Sequence, residues 1–274
     1  MRIQVLGIIR FSYPSVFNQL GAEDFEAYRR ELYEPHRMAK RLVWLSHVVL
    51  PSLAQQTDQD FTCVLLIGDR MPQSYRDDLE MLVAPLPQIK IVAEPEGQVH
   101  RFAIRDVMAR FSDQTADYVA EFLMDDDDAV GRSFVATSRS CFPQFEQLMP
   151  HRERVTLDFC HGYLLQMDGA GHRLKPIWQR MWAPGLVSYR KPNRSTALRF
   201  IVHNDIWRNM PCVSLNQKYM FVRGVHEFNV SNMANRWDRH PDVSEDGEDH
   251  PALMKEHFGI DLEAFQRDRT ALGP

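Results

Sequence analysis

The sequence predicts an α/β fold on a mostly parallel sheet, with a mixed second half. Three observations lead there. Apolar, strand-like runs at 3–9, 61–67, 89–93 and 118–124 alternate with helical stretches through the first half. The run 61–67 is almost continuously apolar, as befits a strand covered on both faces. The run 118–124 empties into four successive aspartates, Asp125, Asp126, Asp127 and Asp128. Regular strand–helix–strand alternation implies right-handed crossovers and a doubly wound sheet. Ligands of such sheets sit at the carboxyl ends of strands, which is where the aspartates fall.

Each element has its own signal. Residues 3–9 read as the first strand, and 11–21 as a loop with Ser12, Pro14 and Ser15. Residues 24–49 are helical in character, with a break at Pro35, and Met38, Leu42, Leu45 and Val49 recur at helical spacing. Pro51 is expected to interrupt, leaving 52–56 as a short helical piece before a turn at 57–60. Pro72 opens a helix to Val83, a favoured place for proline. Strand 89–93, helix 99–111 and strand 118–124 complete the first half. Beyond Gly131, 133–149 looks helical with a kink at Pro143, 155–166 reads as one long strand, and 167–171 as a turn. Further strands are expected at 185–189 and 219–223, a solvated acidic loop at 242–249, and a terminal helix at 262–272.

With 274 residues and 44% hydrophobic content, the chain has enough material for a sizeable core. One composite domain over 1–274 is the simplest organisation, in three stretches: 1–130, 131–240, and a C-terminal tail and helix at 241–274. The formal net charge of −5 speaks against a nucleic-acid partner, which calls for a basic excess. Cys63, Cys141, Cys160 and Cys212 form no C-x-x-C pair, so they read as reduced thiols of a cytoplasmic protein. No transmembrane run or signal-peptide pattern is visible; peripheral membrane contact is left open.

Four adjacent carboxylates raise one another's pKa unless a cation neutralises them. A hard divalent ion with oxygen ligands answers that need, and a metal holding a diphosphate suits the end of a buried strand. The run offers two D-x-D frames, Asp125/Asp127 and Asp126/Asp128, of which the second is favoured, with Asp127 next in line for direct contact. For a histidine ligand, His226 is favoured, ahead of His203 and His161, because it follows a strand and precedes a polar stretch. A general base for an acceptor hydroxyl requires a carboxylate of suitable pKa; the candidates are Asp205 and Asp158. Arg101 and Arg105, four apart on one helix, share a face and are candidates for the nucleotide, as is Arg10 at the end of the first strand. Trp178, Trp182 and Tyr189 are candidates to line an acceptor site, with core packing expected for at least one of them.

The segment Leu50-Pro51-Ser52-Leu53-Ala54-Gln55-Gln56-Thr57-Asp58-Gln59-Asp60-Phe61 and the later Leu123-Met124-Asp125-Asp126-Asp127-Asp128-Ala129-Val130 carry a family resemblance. With the half-Rossmann order, they resemble GT-A glycosyltransferases, and more narrowly the bacterial family described as putative rhamnosyltransferases. The first segment is similar to that family's P-S-L-x-x-Q-T stretch, and the second to its aspartate motif. The resemblance spans roughly residues 1 to 235. It implies a GT-A-like fold, with a nucleotide-binding half at 1–130 and an acceptor half at 131–240, and an inverting transferase that uses Mn2+ or Mg2+. It also implies a nucleoside-diphosphate sugar as donor, with rhamnose as the sugar, and a glycan or lipid-linked acceptor. In that reading one aspartate of the motif (Asp125 or Asp126) faces the ribose or a metal-bound water, while others bind the metal directly. The x-E-D motif of many inverting members has no clear counterpart here.

Two other readings compete. A nucleotidyltransferase calls for a glycine-rich loop after the first strand, where this chain has Arg10-Phe11-Ser12-Tyr13-Pro14. A calcium-stabilised carbohydrate-binding module needs neither a diphosphate site nor the β-α-β order.

Overall fold

The computed structural model describes residues 1–16, 22–149, 153–168, 171–196, 203–217, 219–227, 237–244 and 247–273. The first half runs β1 (Ile3–Arg10), α1 (Ala22–Leu32), α2 (Pro35–Trp44), α3 (Leu50–Ala54), β2 (Thr62–Gly68), α4 (Gln73–Val83), β3 (Ile89–Glu94), α5 (His100–Phe111) and β4 (Tyr118–Asp125). The second half runs β5 (Ala129–Val130), α6 (Phe134–Cys141), β6 (Arg154–Phe159), β7 (His161–Asp168), β8 (Gly171–Trp178) and β9 (Leu186–Arg190). It continues with β10 (Cys212–Leu215), β11 (Phe221–Val225), α7 (His250–Phe258) and α8 (Leu262–Ala271).

A seven-stranded sheet has the order β10-β6-β9-β4-β1-β2-β3. All neighbours are parallel except β9, which runs antiparallel to β4 and β6. This is the expected α/β architecture with its mixed second half. β2 and β3 lie on one side of β1 and β4 on the other, so the strand order reverses between β1 and β4. The register sets Arg10 opposite Asp125 across that reversal. One face of the sheet packs Val5, Ile9, Leu65, Phe122 and Phe159 against the α2–α3 rod and α6. The other face packs Leu6, Ile8, Val64 and Val119 against Ile104, Val107 and Met108 of α5. The buried Glu121 of β4 is paired with Arg190 of β9 at 2.6 Å and accepts a hydrogen bond from Thr196 Oγ1. A buried carboxylate needs such full satisfaction.

A second sheet, β5-β11-β7-β8, backs the aspartate end of β4. Its outer face buries Tyr163, Leu165, Met167 and Val222 under Phe258, Ile260, Leu262 and Phe265 of the C-terminal helices. Asp249 and Asp261 cap α7 and α8, and Gly259 ends α7 at φ +70°, a left-handed conformation that glycine adopts without steric cost.

Three expectations are corrected. The single strand at 155–166 is two strands in different sheets. Cys160 N–H bonds to Leu215 O of β10, and the chain then crosses over to pair with β11; an unbroken apolar run carries no mark of such a crossing. Pro51 does not interrupt its helix. A π turn at Leu45–Val49 joins α2 to α3, closed by Leu50 N–H to Leu45 O. The wider turn relieves the clash a proline ring makes with the preceding turn. The helix expected to reach 149 ends at Cys141 and decays into 3₁₀ turns around Pro143. Strands β8 and β10 and helix α7 had no place in the sequence reading.

Candidate active site

The four aspartates form a tight turn: Asp128 N–H bonds to Asp125 O, and Asp125 N–H bonds to Asp128 Oδ2 at 3.1 Å. Asp126, Asp127 and Asp128 are buried. The segment before β2 locks this turn from behind. Ser52 Oγ donates to Val49 O and accepts from Val130 N–H. Gln56 donates to Ser52 O and Gly131 O and accepts from Val135 N–H. Thr57 N–H bonds to Arg132 O. The serine, glutamine and threonine of the P-S-L-x-x-Q-T segment are therefore clamps on the chain leaving the aspartates.

The positive charge comes from three separate elements. Arg10, at the end of β1, meets Asp125 Oδ1 at 2.6 Å. Arg41 of α2 grips Asp126 with Nε and Nη2, and its Nη1 lies 3.6 Å from Asp127. Arg223 of β11 places one nitrogen 3.2 Å from Asp125 Oδ2 and 3.1 Å from Asp128 Oδ2. Beside them His226 Nε2 is 2.8 Å from Asp127 Oδ2 and 2.6 Å from Arg41 Nη1. That nitrogen either donates to the carboxylate or accepts from the guanidinium, but not both. β11 comes this close because Gly224 has no side chain: a Cβ there would lie 2.5 Å from Asp127 O.

The carboxylates divide by surroundings. Burial opposes ionisation of Asp127, but Arg41, His226 and Arg223 outweigh it and hold the acid well below its usual range. Asp125 is lowered too, burial being overcome by Arg10 and Arg223. Asp128 goes the other way: burial, with Asp127 and Asp125 close by, pushes it well up despite Arg223. Burial also lowers His226, against the pull of Asp127.

One oxygen from each of Asp125, Asp127 and Asp128 lies within 4.8 Å of the others, a spacing that accommodates a metal ion. Asp128 Oδ1 is buried and makes no hydrogen bond. A buried carboxylate oxygen in that state is unfavourable, and a cation removes the penalty; by this test the residues fit a divalent ion. The converging trio includes Asp125, whereas Asp126, favoured from the sequence, is turned to Arg41.

The other candidates are scattered. Arg101 and Arg105 bracket the exposed Phe102 ring on α5, each 5.0 Å from its centroid, and Arg105 pairs with Asp106. No contact among the described residues joins them to the aspartates. Asp205 lies on a 3₁₀ turn, paired with Arg208 at 3.3 Å. Asp158 is buried at the end of β6, accepting from Met181 N–H and Ser214 Oγ. His161 opens β7 against the Tyr219 ring, and the side chain of His203 lies outside the described residues, as does the polar stretch 228–232 after His226. Tyr189 is core, stacked on Phe142; Trp182 is buried and Trp178 exposed.

Arg41 and Arg223 were missed. Arg37 and Arg41 stand four apart just inside Pro35, the spacing used to single out Arg101 and Arg105; that signal was present in α2 as well. Nothing in the sequence marks Arg223 apart from its nearness to His226.

Residues 4–236 match the family described as "Putative rhamnosyl transferase", and the chain belongs to that family. No curated protein matches it. Among solved structures, S. aureus TarS 1–349 is similar at 11% identity and TM-score 0.40, over 82% of this chain and 60% of that one. Its complex with UDP gives 12% and 0.42. A putative nucleotide-diphospho-sugar transferase from Desulfovibrio desulfuricans G20 gives 11% and 0.38, over 98% of this chain and 96% of that one. The chain thus spans about three fifths of the TarS fragment. No helix among the described residues is long and apolar enough to cross a membrane.

Proposed function

We propose that this chain is a nucleotide-sugar glycosyltransferase that uses Mn2+ or Mg2+. It moves a sugar, rhamnose by its family's description, from a nucleoside diphosphate to a hydroxyl of a glycan or lipid-linked acceptor, with inversion. The observation that carries the reading is the convergence of Asp125, Asp127 and Asp128 at the strand-order reversal, within the span that matches the family.

In this reading Asp125, Asp127 and Asp128 hold the ion. When bound, a divalent ion supplies Lewis-acid neutralisation of charge on a departing diphosphate. Arg10, Arg41 and Arg223 add positive charge around the same point, and guanidinium forks suit phosphate oxygens. Asp126, held by two nitrogens of Arg41, is the candidate for the ribose. Asp205 is the candidate base, on a turn apart from the phosphate end.

The test is thermal shift of the full chain with Mn2+ and a panel of nucleoside diphosphates, followed by a transfer screen with nucleotide sugars. Metal and nucleotide together are expected to stabilise more than the sum of each alone. Asp128→Asn is expected to lower transfer on the order of 100-fold or more while preserving the fold. Undiminished turnover in that variant sinks the assignment. Stabilisation by calcium alone, with no response to any nucleotide, favours the carbohydrate-binding module instead.

A further inference from the structure

A cavity opens beside β10, the outermost strand on the β6 side of the seven-stranded sheet. It measures about 570 Å³ and is lined by Gln179, Arg180, Met181, Trp207, Met210, Pro211 and Cys212. Its loop, Gln179 to Met181, crosses the carboxyl ends of β6 and β10: Gln179 N–H bonds to Cys160 O, whose own N–H bonds to Leu215 O. β6 runs parallel to β4 with β9 between them. The cavity lies beyond both, at β10, three strand spacings from β4, and Cys212 is level with Glu121 through Thr156 and Ser188, so the cavity lies roughly 15–20 Å from Asp125.

The cavity is built and held. Met181 has φ +58°, a left-handed conformation that costs a side-chain-bearing residue energy and tends to occur at functional sites. Asp158 holds it there: buried beneath the loop, its carboxylate accepts Met181 N–H at 2.9 Å and Ser214 Oγ at 2.8 Å. Arg180 Nε reaches Ser214 Oγ at 3.2 Å and stands 3.9 Å from Asp158, while most of the Arg180 side chain faces solvent. At the rim, the Trp207 indole is 57% exposed. Arg208, 5.3 Å from that ring, pairs with Asp205.

A flat, exposed indole beside amide and guanidinium donors is a mixed surface. It matches a pyranose ring, whose C–H face is apolar and whose hydroxyls accept hydrogen bonds around the edge. Both cationic groups here are already balanced by carboxylates, Arg180 by Asp158 and Arg208 by Asp205, so a net-charged ligand gains little. We infer that this cavity is a glycan-binding subsite, with Trp207 as the stacking plate and Gln179 and Arg180 as the polar contacts. Together with the transferase reading, on which its role as acceptor site rests, it holds a sugar residue of the acceptor that is distant from the one presenting the hydroxyl.

The experiment is binding of the full chain to a printed oligosaccharide array, repeated with Trp207→Ala and with Asp128→Asn. Trp207 is largely exposed, so its truncation spares the core. The intact chain is expected to retain one class of oligosaccharide. Trp207→Ala is expected to weaken that signal about tenfold, as for loss of one aromatic contact, and Asp128→Asn to leave it unchanged. No oligosaccharide bound, or an equal signal from Trp207→Ala, overturns the subsite. Failure to turn over any nucleotide sugar is a separate result: it removes the transferase reading and leaves the array readout standing.

Discussion

Arg223 occupies the place a cation would take. Its nitrogen bridges Asp125 and Asp128 at 3.2 and 3.1 Å, two of the three carboxylates that converge. In the metal-dependent reading proposed above, a divalent ion between those oxygens would displace the Arg223 guanidinium. On the same reading a diphosphate would take up the freed guanidinium, which would couple metal and nucleotide binding reciprocally. Arg223→Gln is therefore expected to bind Mn2+ more tightly than the parent in the absence of nucleotide, on the order of tenfold, and to lose most of the gain that uridine or thymidine diphosphate confers. Spin-resonance titration of free Mn2+ reads both effects. Weaker metal binding in the variant contradicts the displacement idea. Should the variant not fold, Mn2+ titration of the parent chain decides alone, since equal affinity with and without nucleotide is incompatible with coupling. The aspartates and Arg10 were legible in the sequence because they terminate strands. Arg41 and Arg223 were not, since a residue on a distant helix or strand becomes a partner only through the fold.

Element β11 shows how a strand becomes the wall of a site. It pairs with β7 and β5, delivers Arg223, leads directly into His226, and slides past Asp127 at Gly224. A Cβ at 224 would meet Asp127 O at 2.5 Å and Asp127 Cβ at 2.8 Å, contacts with backbone that has little room to yield. Gly224→Ala is expected to cost roughly 1–3 kcal/mol of stability as an overpacked site and to abolish the joint metal and nucleotide thermal shift, because Arg223 and His226 move with the strand. Chemical denaturation and thermal shift check the two parts, and a variant that matches the parent in both argues against β11 as a wall. The elements of the first half were readable because each is local: a helix or strand of one period, set off by Pro35, Pro72 or a polar turn. The second half was harder for a physical reason. β6 and β7 form one apolar run in sequence yet join different sheets, and β8, with Pro176 and alternating basic residues, follows the strand pattern only through its pairing with β7.

Over the whole molecule, folding stability inherits the burial of charge-capable groups around the sheet edge. His100, at the start of α5, is buried near Ser15, and burial together with nearby Arg10 depresses its pKa from 6.5 to about 3, with Asp125 pulling weakly the other way. The folded chain thus binds fewer protons at this site than the unfolded chain between those values, and stability rises with pH there. It is fully present above about 6.5 and is lost as pH falls toward 3. At pH 5 the loss amounts to about 2 kcal/mol. His226, also depressed by burial, adds to the loss with the same sign. Asp125 and Asp127, both lowered, stabilise the fold above the ordinary carboxylate range, and their share disappears only at more acid pH. Asp128 and Asp158, both raised, act with the opposite sign, so the share of the histidines in the window from pH 7 to 5 is read from the difference between a variant and the parent. His100→Gln removes one of them and leaves His226 in place. Urea denaturation across that window is expected to show a shallower decline for His100→Gln than for the parent. A parallel decline in the two proteins means that His100 is not buried in its neutral form, and that the packing of α5 against the end of β1 differs from that described.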